Sequence, residues 1–168
     1  TLSDLTTYTP RYYNNMVGDY STQQPTLNSA IANQTGGTVL NWNCDTTNVK
    51  GYRLYASSNG VNWSLVKDEN FLTTNSVTIN RSSNSEFYRV SSVLNNSPAF
   101  SESNWSNVLG VGVYSSNKKV LLVDGFERNT GSWRGPGNNF ISRYGKALQT
   151  LSIDFESVKN NVVKDSLI

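Results

Sequence analysis

From residue 28 to residue 114, apolar side chains recur at every second position and no stretch keeps a helical period. Thr38-Val39-Leu40-Asn41-Trp42, Gly51–Ala56, Ser76–Ile79 and Phe87–Val93 alternate, and Leu65-Val66 and Val108–Val111 are shorter strand candidates. Turn residues separate them at Gly36-Gly37, Ser58-Asn59-Gly60, Arg81–Ser85 and Asn95–Pro98. About seven short strands with no intervening helix predict a mainly β chain built on an antiparallel sandwich. Asn59-Gly60 reads as a tight hairpin turn, since both residues tolerate positive φ. Trp42 and Tyr52 are expected in the core. Tyr55 faces inward or outward according to register.

The chemistry is sparser. The chain has no histidine, one cysteine and one methionine. That removes His-based metal sites, Ser–His and Cys–His nucleophilic pairs and any internal disulfide. No metal ligand set and no cofactor is implied. Fourteen Lys+Arg against twelve Asp+Glu leave +2, too balanced to point to nucleic acid or an anionic membrane. No run approaches the roughly 18 apolar residues of a membrane span. Asn, Ser and Thr number 23, 23 and 15, while charged residues are 15%; the polar surface is therefore made of amides and hydroxyls. That composition suits an exported or cell-surface protein. The sequons at Asn33, Asn62 and Asn104 arise by chance in so Asn-rich a chain. Cys44 is expected to be a part-buried bystander, because no histidine exists to activate it.

The flanks of the β-rich region differ from it. In residues 1–25, Tyr12, Met16 and Tyr20 fall at i, i+4 and i+8 with Tyr13 and Val17 beside them, which predicts a short helix after Pro10 and then a linker. After residue 114, Val120-Leu121-Leu122-Val123 is an unbroken apolar run suited to a strand buried on both faces. Phe140, Ile141, Tyr144, Ala147, Leu148 and Leu151 follow helical spacing, with Asn138 or Asn139 as N-cap, and Ile153–Glu156 reads as a second strand. Strand, loop, helix, strand is how a parallel α/β sheet begins. About fifty residues cannot close such a sheet. The expected division is a tail over 1–25, the sandwich over 26–114 and the start of an α/β domain, truncated, over 115–168.

Leu40-x-Trp42 and the run Val49–Trp63 resemble strands B, C and C′ of a bacterial extracellular fibronectin type III domain. Phe87–Asn95 is similar to that family's strand F, and Ser101–Val108 to its lead into strand G. One departure stands out: Glu86 occupies the position of the family's tyrosine corner. The resemblance implies an immunoglobulin-like sandwich. Further on, Val120–Asn129, Ser132-Trp133 and Ile153–Asn160 resemble the opening of the α/β domain in bacterial golvesin- or xanthan-lyase-related proteins. That likeness implies a surface or envelope protein associated with polysaccharide.

Few residues qualify as site candidates. Asp124 and Glu127 lie at the carboxyl end of the first parallel strand, where open α/β sheets place ligands, and are the catalytic candidates. Arg134, Gly135 and Gly137 precede a helix and offer backbone N–H groups to an anion, without a dinucleotide or P-loop pattern. Trp63, Trp105 and Trp133 are candidates for stacking on sugar rings.

The expectation is a non-catalytic spacer or adhesion module of an exported multidomain bacterial protein. Its partners would be other domains of the same polypeptide and a polysaccharide or cell-wall glycan. The alternatives are a fragment of a polysaccharide- or peptidoglycan-active enzyme, of xanthan-lyase-related or amidase type, and a subunit completed by a neighbouring copy. A spacer predicts Trp42 and Tyr52 buried and only a small linker interface.

Overall fold

The computed structural model describes residues 23–95, 102–125 and 140–165. The helix expected around Tyr12–Tyr20 lies outside them. Strands β1 (Thr26–Ala32), β2 (Gly37–Asn43), β3 (Val49–Ser57), β4 (Ser64–Lys67), β5 (Ser76–Asn80), β6 (Ser85–Leu94) and β7 (Leu109–Gly112) come in order. Then come β8 (Lys119–Asp124), helix α1 (Phe140–Thr150), β9 (Asp154–Lys159) and a short α2 (Asn160–Asp165). The result is a curled, mainly antiparallel sheet in the order β4-β3-β6-β7-β9-β1-β2-β5, with β8 beside β9.

The alternation from Thr38 to Val93 therefore becomes strands. Inward positions Leu40, Trp42, Tyr52, Leu54, Tyr88 and Val90 are buried, Trp42 at 1% exposure. Trp42 of β2 meets Tyr52 of β3 edge to face, ring centroids 5.3 Å apart, so the sheet's two flanks close on one core. Strand β1 carries no clean alternation because its pairing with β2 shifts register between Leu27 and Ser29. A bulge puts two successive side chains on one side and hides the period.

Asn59-Gly60 forms no two-residue hairpin. Ala56 of β3 pairs with Ser64 of β4, leaving a longer loop in which only Gly60 has positive φ, +68°. Ser57 dictates this: its hydroxyl accepts from Gly60 N at 2.9 Å and donates to Asn59 Oδ1 at 3.0 Å.

The region after residue 114 departs most from expectation. Strands β8 and β9 are parallel, from Lys119 beside Asp154 to Asp124 beside Lys159. Yet β8 is not buried on both faces: Leu121 and Val123 are exposed while Leu122 between them is half-buried. The doubly buried strand is β9, where Phe155, Glu156, Ser157 and Val158 are all buried. Its other edge pairs Phe155 with Gly112 of β7, then Ser157 and Val158 with Ala30 and Ser29 of β1. It thus bridges the two flanks of the sheet. Gly110 N donates to Ser157 Oγ at 2.6 Å, and Ser157 Oγ donates back to Gly110 O at 2.8 Å. Residues beyond 114 therefore meet the preceding strands through a shared sheet, which replaces the small linker interface expected of a spacer.

Helix α1 turns a different face inward from the one its apolar residues suggest. Ile141, Ser142 and Gly145 are buried, whereas Tyr144 is 62% and Leu151 67% exposed. The reason is steric. Phe87 of β6 points outward and stacks on Phe155 of β9 at 6.2 Å, and a β-carbon at Gly145 would lie 2.6 Å from Phe87. Only the helix's smallest residues let it approach that ring pair.

Candidate functional site

Among the described residues, a close grouping of polar and aromatic side chains lies on the outer face of β3 and β6. With Tyr52 and Leu54 inward, strand parity sends Arg53 and Tyr55 outward. Register sets Tyr55 opposite Arg89 and Arg53 opposite Ser91. Two serines then fasten the segment before β7 along β6. Ser103 N donates to Ser92 O at 2.9 Å while Ser103 Oγ accepts from Ser92 N at 2.9 Å. Ser106 does the same with Val90, at 2.8 and 2.9 Å. This spacing of three carries Glu102 and Trp105 over the outer face.

Arg89 sits among three rings, its guanidinium carbon 3.4 Å from the Trp105 centroid, 4.3 Å from Trp63 and 5.4 Å from Tyr55. Beside it, Glu102 accepts from Tyr55 OH at 2.6 Å, from Arg53 Nη1 at 2.8 Å and from Ser91 Oγ. Arg53 also grips Glu69 with two donors, at 2.7 and 3.2 Å. Burial, then the hydrogen bond to Glu102, pushes the Tyr55 phenol well above its usual range. The Glu69 hydrogen bond raises Arg53 further, so its cation is permanent. Arg53, Glu69 and Glu102 satisfy one another and Arg89 is packed among the rings, so the arrangement acts as a polar and cation–π seam locking β3 and β6 to the segments that carry Trp63, Glu69 and Trp105.

Replacing Arg89 with leucine is expected to cost about 2 kcal/mol, since three rings lose a part-desolvated cation. Urea denaturation monitored by tryptophan emission reads this directly. An unchanged midpoint together with an unchanged spectrum would count against the seam.

Acid should loosen the same seam. Arg53, beside Glu69, holds that carboxyl below the ordinary glutamate range. A depressed carboxyl contributes fully above its unfolded-state pKa, and the contribution is lost as pH falls through the lower folded-state value. Arg53 is 31% exposed along its side chain, so the effect is about 1 kcal/mol after screening. Stability titrations of the wild type and Glu69→Gln should converge toward acid pH. Parallel curves would argue against the pair.

Trp63 and Trp105, 42 positions apart in the sequence, are thus brought together by Arg89. Asp124, at the end of β8, accepts from Asn107 Nδ2 at 3.2 Å, and Asn107 in turn bonds Leu27 N and O. Its placement ties β8 to β1. Glu127, Trp133, Arg134, Gly135 and Gly137 lie outside the described residues. Burial pushes the Cys44 thiol up to about 11, so it stays protonated at neutral pH. Among the described residues no three His, Cys, Asp or Glu side chains converge on a metal position, and no helix is long and apolar enough to cross a membrane. Nothing in the sequence marks Arg53, Arg89 and Glu102 as a cluster. Parity places the two arginines outward, but their neighbours depend on register.

No family profile matches the chain, and no curated protein matches its sequence. Among solved structures it is similar to a β-1,2-glucanase from Parabacteroides distasonis at 23% identity and TM-score 0.44, over 55% of this chain and 13% of the glucanase. A Fn3-like protein from Clostridium thermocellum matches at 20% identity and TM-score 0.41, over 52% of this chain and 88% of the other. Pectate lyase PelI from Erwinia chrysanthemi matches at 18% and 0.40, over 64% of this chain and 37% of the lyase. The likeness is loose in all three, and the functional reading rests on the chain's own residues.

Proposed function

We propose that the chain is a fibronectin type III-like β-sandwich acting as a non-catalytic spacer or adhesion module of an exported, multidomain bacterial surface or envelope protein. Residues 115–168 form an α/β segment next to it. Strand grouping supports the fold. The first, second and fifth strands lie on one flank and the third, sixth and seventh on the other, the grouping of immunoglobulin-like sandwiches. The observation that carries the function is β9, hydrogen-bonded to β7 and β1 on one edge and to β8 on the other. A module joined to its successor through a common sheet fixes that successor's orientation, where a flexible linker leaves domains free to move.

A protease site placed at Ser116-Asn117, in the connection before β8, tests this. After cleavage the two pieces are expected to co-elute and to unfold in one transition. Separation into independently folded pieces would end the reading of a module rigidly coupled to its successor, and turnover of a polysaccharide or peptidoglycan substrate by the intact chain would end the non-catalytic one. Fractionation of the producing bacterium should place the protein in the envelope or medium.

A glycan partner is the second reading, favoured by Trp63 and Trp105. Both rings are half-buried on the outer face, flanked by Asn62 and Asn104, which offer amides to sugar hydroxyls. Retention on immobilised cell-wall glycan should fall with Trp63→Ala or Trp105→Ala. Equal retention of both variants removes this reading and leaves the spacer intact.

A further inference from the structure

Asn59 is the only asparagine in the chain followed by glycine, and it lies in the loop that carries Trp63. Glycine leaves its backbone nitrogen sterically open to the preceding side-chain amide. We propose that Asn59 is a covalent modification site, converting through a succinimide to aspartate or isoaspartate, and that the Ser57 hydroxyl is the lock on the reaction.

The chemistry needs only water. Gly60 N gives up its proton and attacks Asn59 Cγ, forming a C–N bond. The Cγ–Nδ2 bond breaks and Nδ2 leaves as ammonia, taking up a proton. Water then opens the five-membered ring. Attack at Cγ restores the normal backbone with aspartate, whereas attack at the main-chain carbonyl routes the backbone through the side chain as isoaspartate. The net change is loss of ammonia and gain of water, about one dalton.

Both reacting groups are held by named contacts. Gly60 N, the nucleophile, donates to Ser57 Oγ at 2.9 Å. Asn59 N donates to the same oxygen at 3.3 Å, and Ser57 Oγ donates to Asn59 Oδ1 at 3.0 Å. Asn59 Oδ1 further accepts from Val61 N and Asn62 N, both at 2.8 Å. Attack requires Gly60 N to leave Ser57 and the Asn59 amide to turn away from the donors that hold it. Ser57 is buried at the end of β3, so its hydroxyl is held by the sheet itself.

The product matters for the outer-face seam. Isoaspartate lengthens the backbone three residues before Trp63's neighbour Asn62, and Trp63 is stacked on Arg89. The modified loop releases that ring, so the reaction loosens the seam from one side.

The full-length chain is incubated folded, and in parallel unfolded in urea, in mildly alkaline buffer. Asn59 is tracked by peptide mass spectrometry with isoaspartate detection. The unfolded chain should modify fastest at Asn59 and the folded wild type slowest. Ser57→Ala, kept folded by circular dichroism, should react about tenfold faster than folded wild type, since it loses the hydroxyl's hydrogen bonds. Ser57→Thr retains the hydroxyl and should stay near the wild-type rate. Equal rates in folded and unfolded wild type overturn the lock, whether or not Ser57→Ala folds. Conversion elsewhere with Asn59 untouched overturns the site.

Discussion

Gly145→Leu is expected to lower stability by about 3 kcal/mol, the upper range for overpacking a filled interior. A β-carbon alone would lie 2.6 and 2.9 Å from Phe87 and 3.0 Å from Phe155. The rings have nowhere to go. Phe87 is also pressed against Gly110, at 2.5 Å from a β-carbon built there, and Phe155 against Gly112 at 2.3 Å. Gly145→Ala should cost less, because a single methyl intrudes on the rings less than an isobutyl group while still recovering about 1 kcal/mol of helix propensity over glycine. Phe87→Leu in the Gly145→Ala background should be milder than the two single effects added, since the shorter side chain makes room for the methyl. Urea denaturation by circular dichroism measures all four proteins. A wild-type midpoint for Gly145→Leu would mean that α1 does not rest on the ring pair.

Glu86→Ala should be comparably damaging, about 3 kcal/mol, because it removes a buried side chain together with three hydrogen bonds, one of them from the buried Tyr88 hydroxyl. Glu86 is 4% exposed at the start of β6. It accepts from Ser82 N at 3.0 Å, from Ser82 Oγ, and from Tyr88 OH at 2.8 Å. Tyr88 OH also reaches Thr38 Oγ1 of β2 at 3.2 Å, so the carboxylate helps pin one flank of the sheet to the other. Glu86→Gln keeps an acceptor and should lose roughly half as much. Tyr88→Phe combined with Glu86→Ala should cost less than the sum of the two, as each single variant already breaks the Tyr88–Glu86 hydrogen bond. Thermal melts decide it. Additive effects would show that Tyr88 and Glu86 do not act together.

Glu86 also shows where reading the chain as a string stops. In the sequence, a glutamate at that position is a departure from the pattern the chain resembles, with Phe87 and Tyr88 beside it as candidates to compensate. In the fold, Glu86 sits two positions before Tyr88, both inward-facing on β6, and accepts from its hydroxyl. Strand parity puts Glu86 and Tyr88 on one face, but the Ser82 amide that completes the arrangement arrives through the turn between β5 and β6. The aromatic seam is similar. Trp63 and Trp105 each stand out in the sequence, and nothing local joins either to Arg89.

Residue order by itself determined the strands from Gly37 to Gly112, the burial of Trp42 and Tyr52, and the parallel pair separated by a helix. These arise from side-chain period and turn residues, which act over a few positions. Tertiary structure alone decided that β9 would bridge β7 and β1, that α1 would present Ser142 and Gly145 rather than Tyr144, and that Arg89 would gather three rings. Each depends on which distant surfaces meet and how much room they leave. Close packing settles that only when the whole chain is folded.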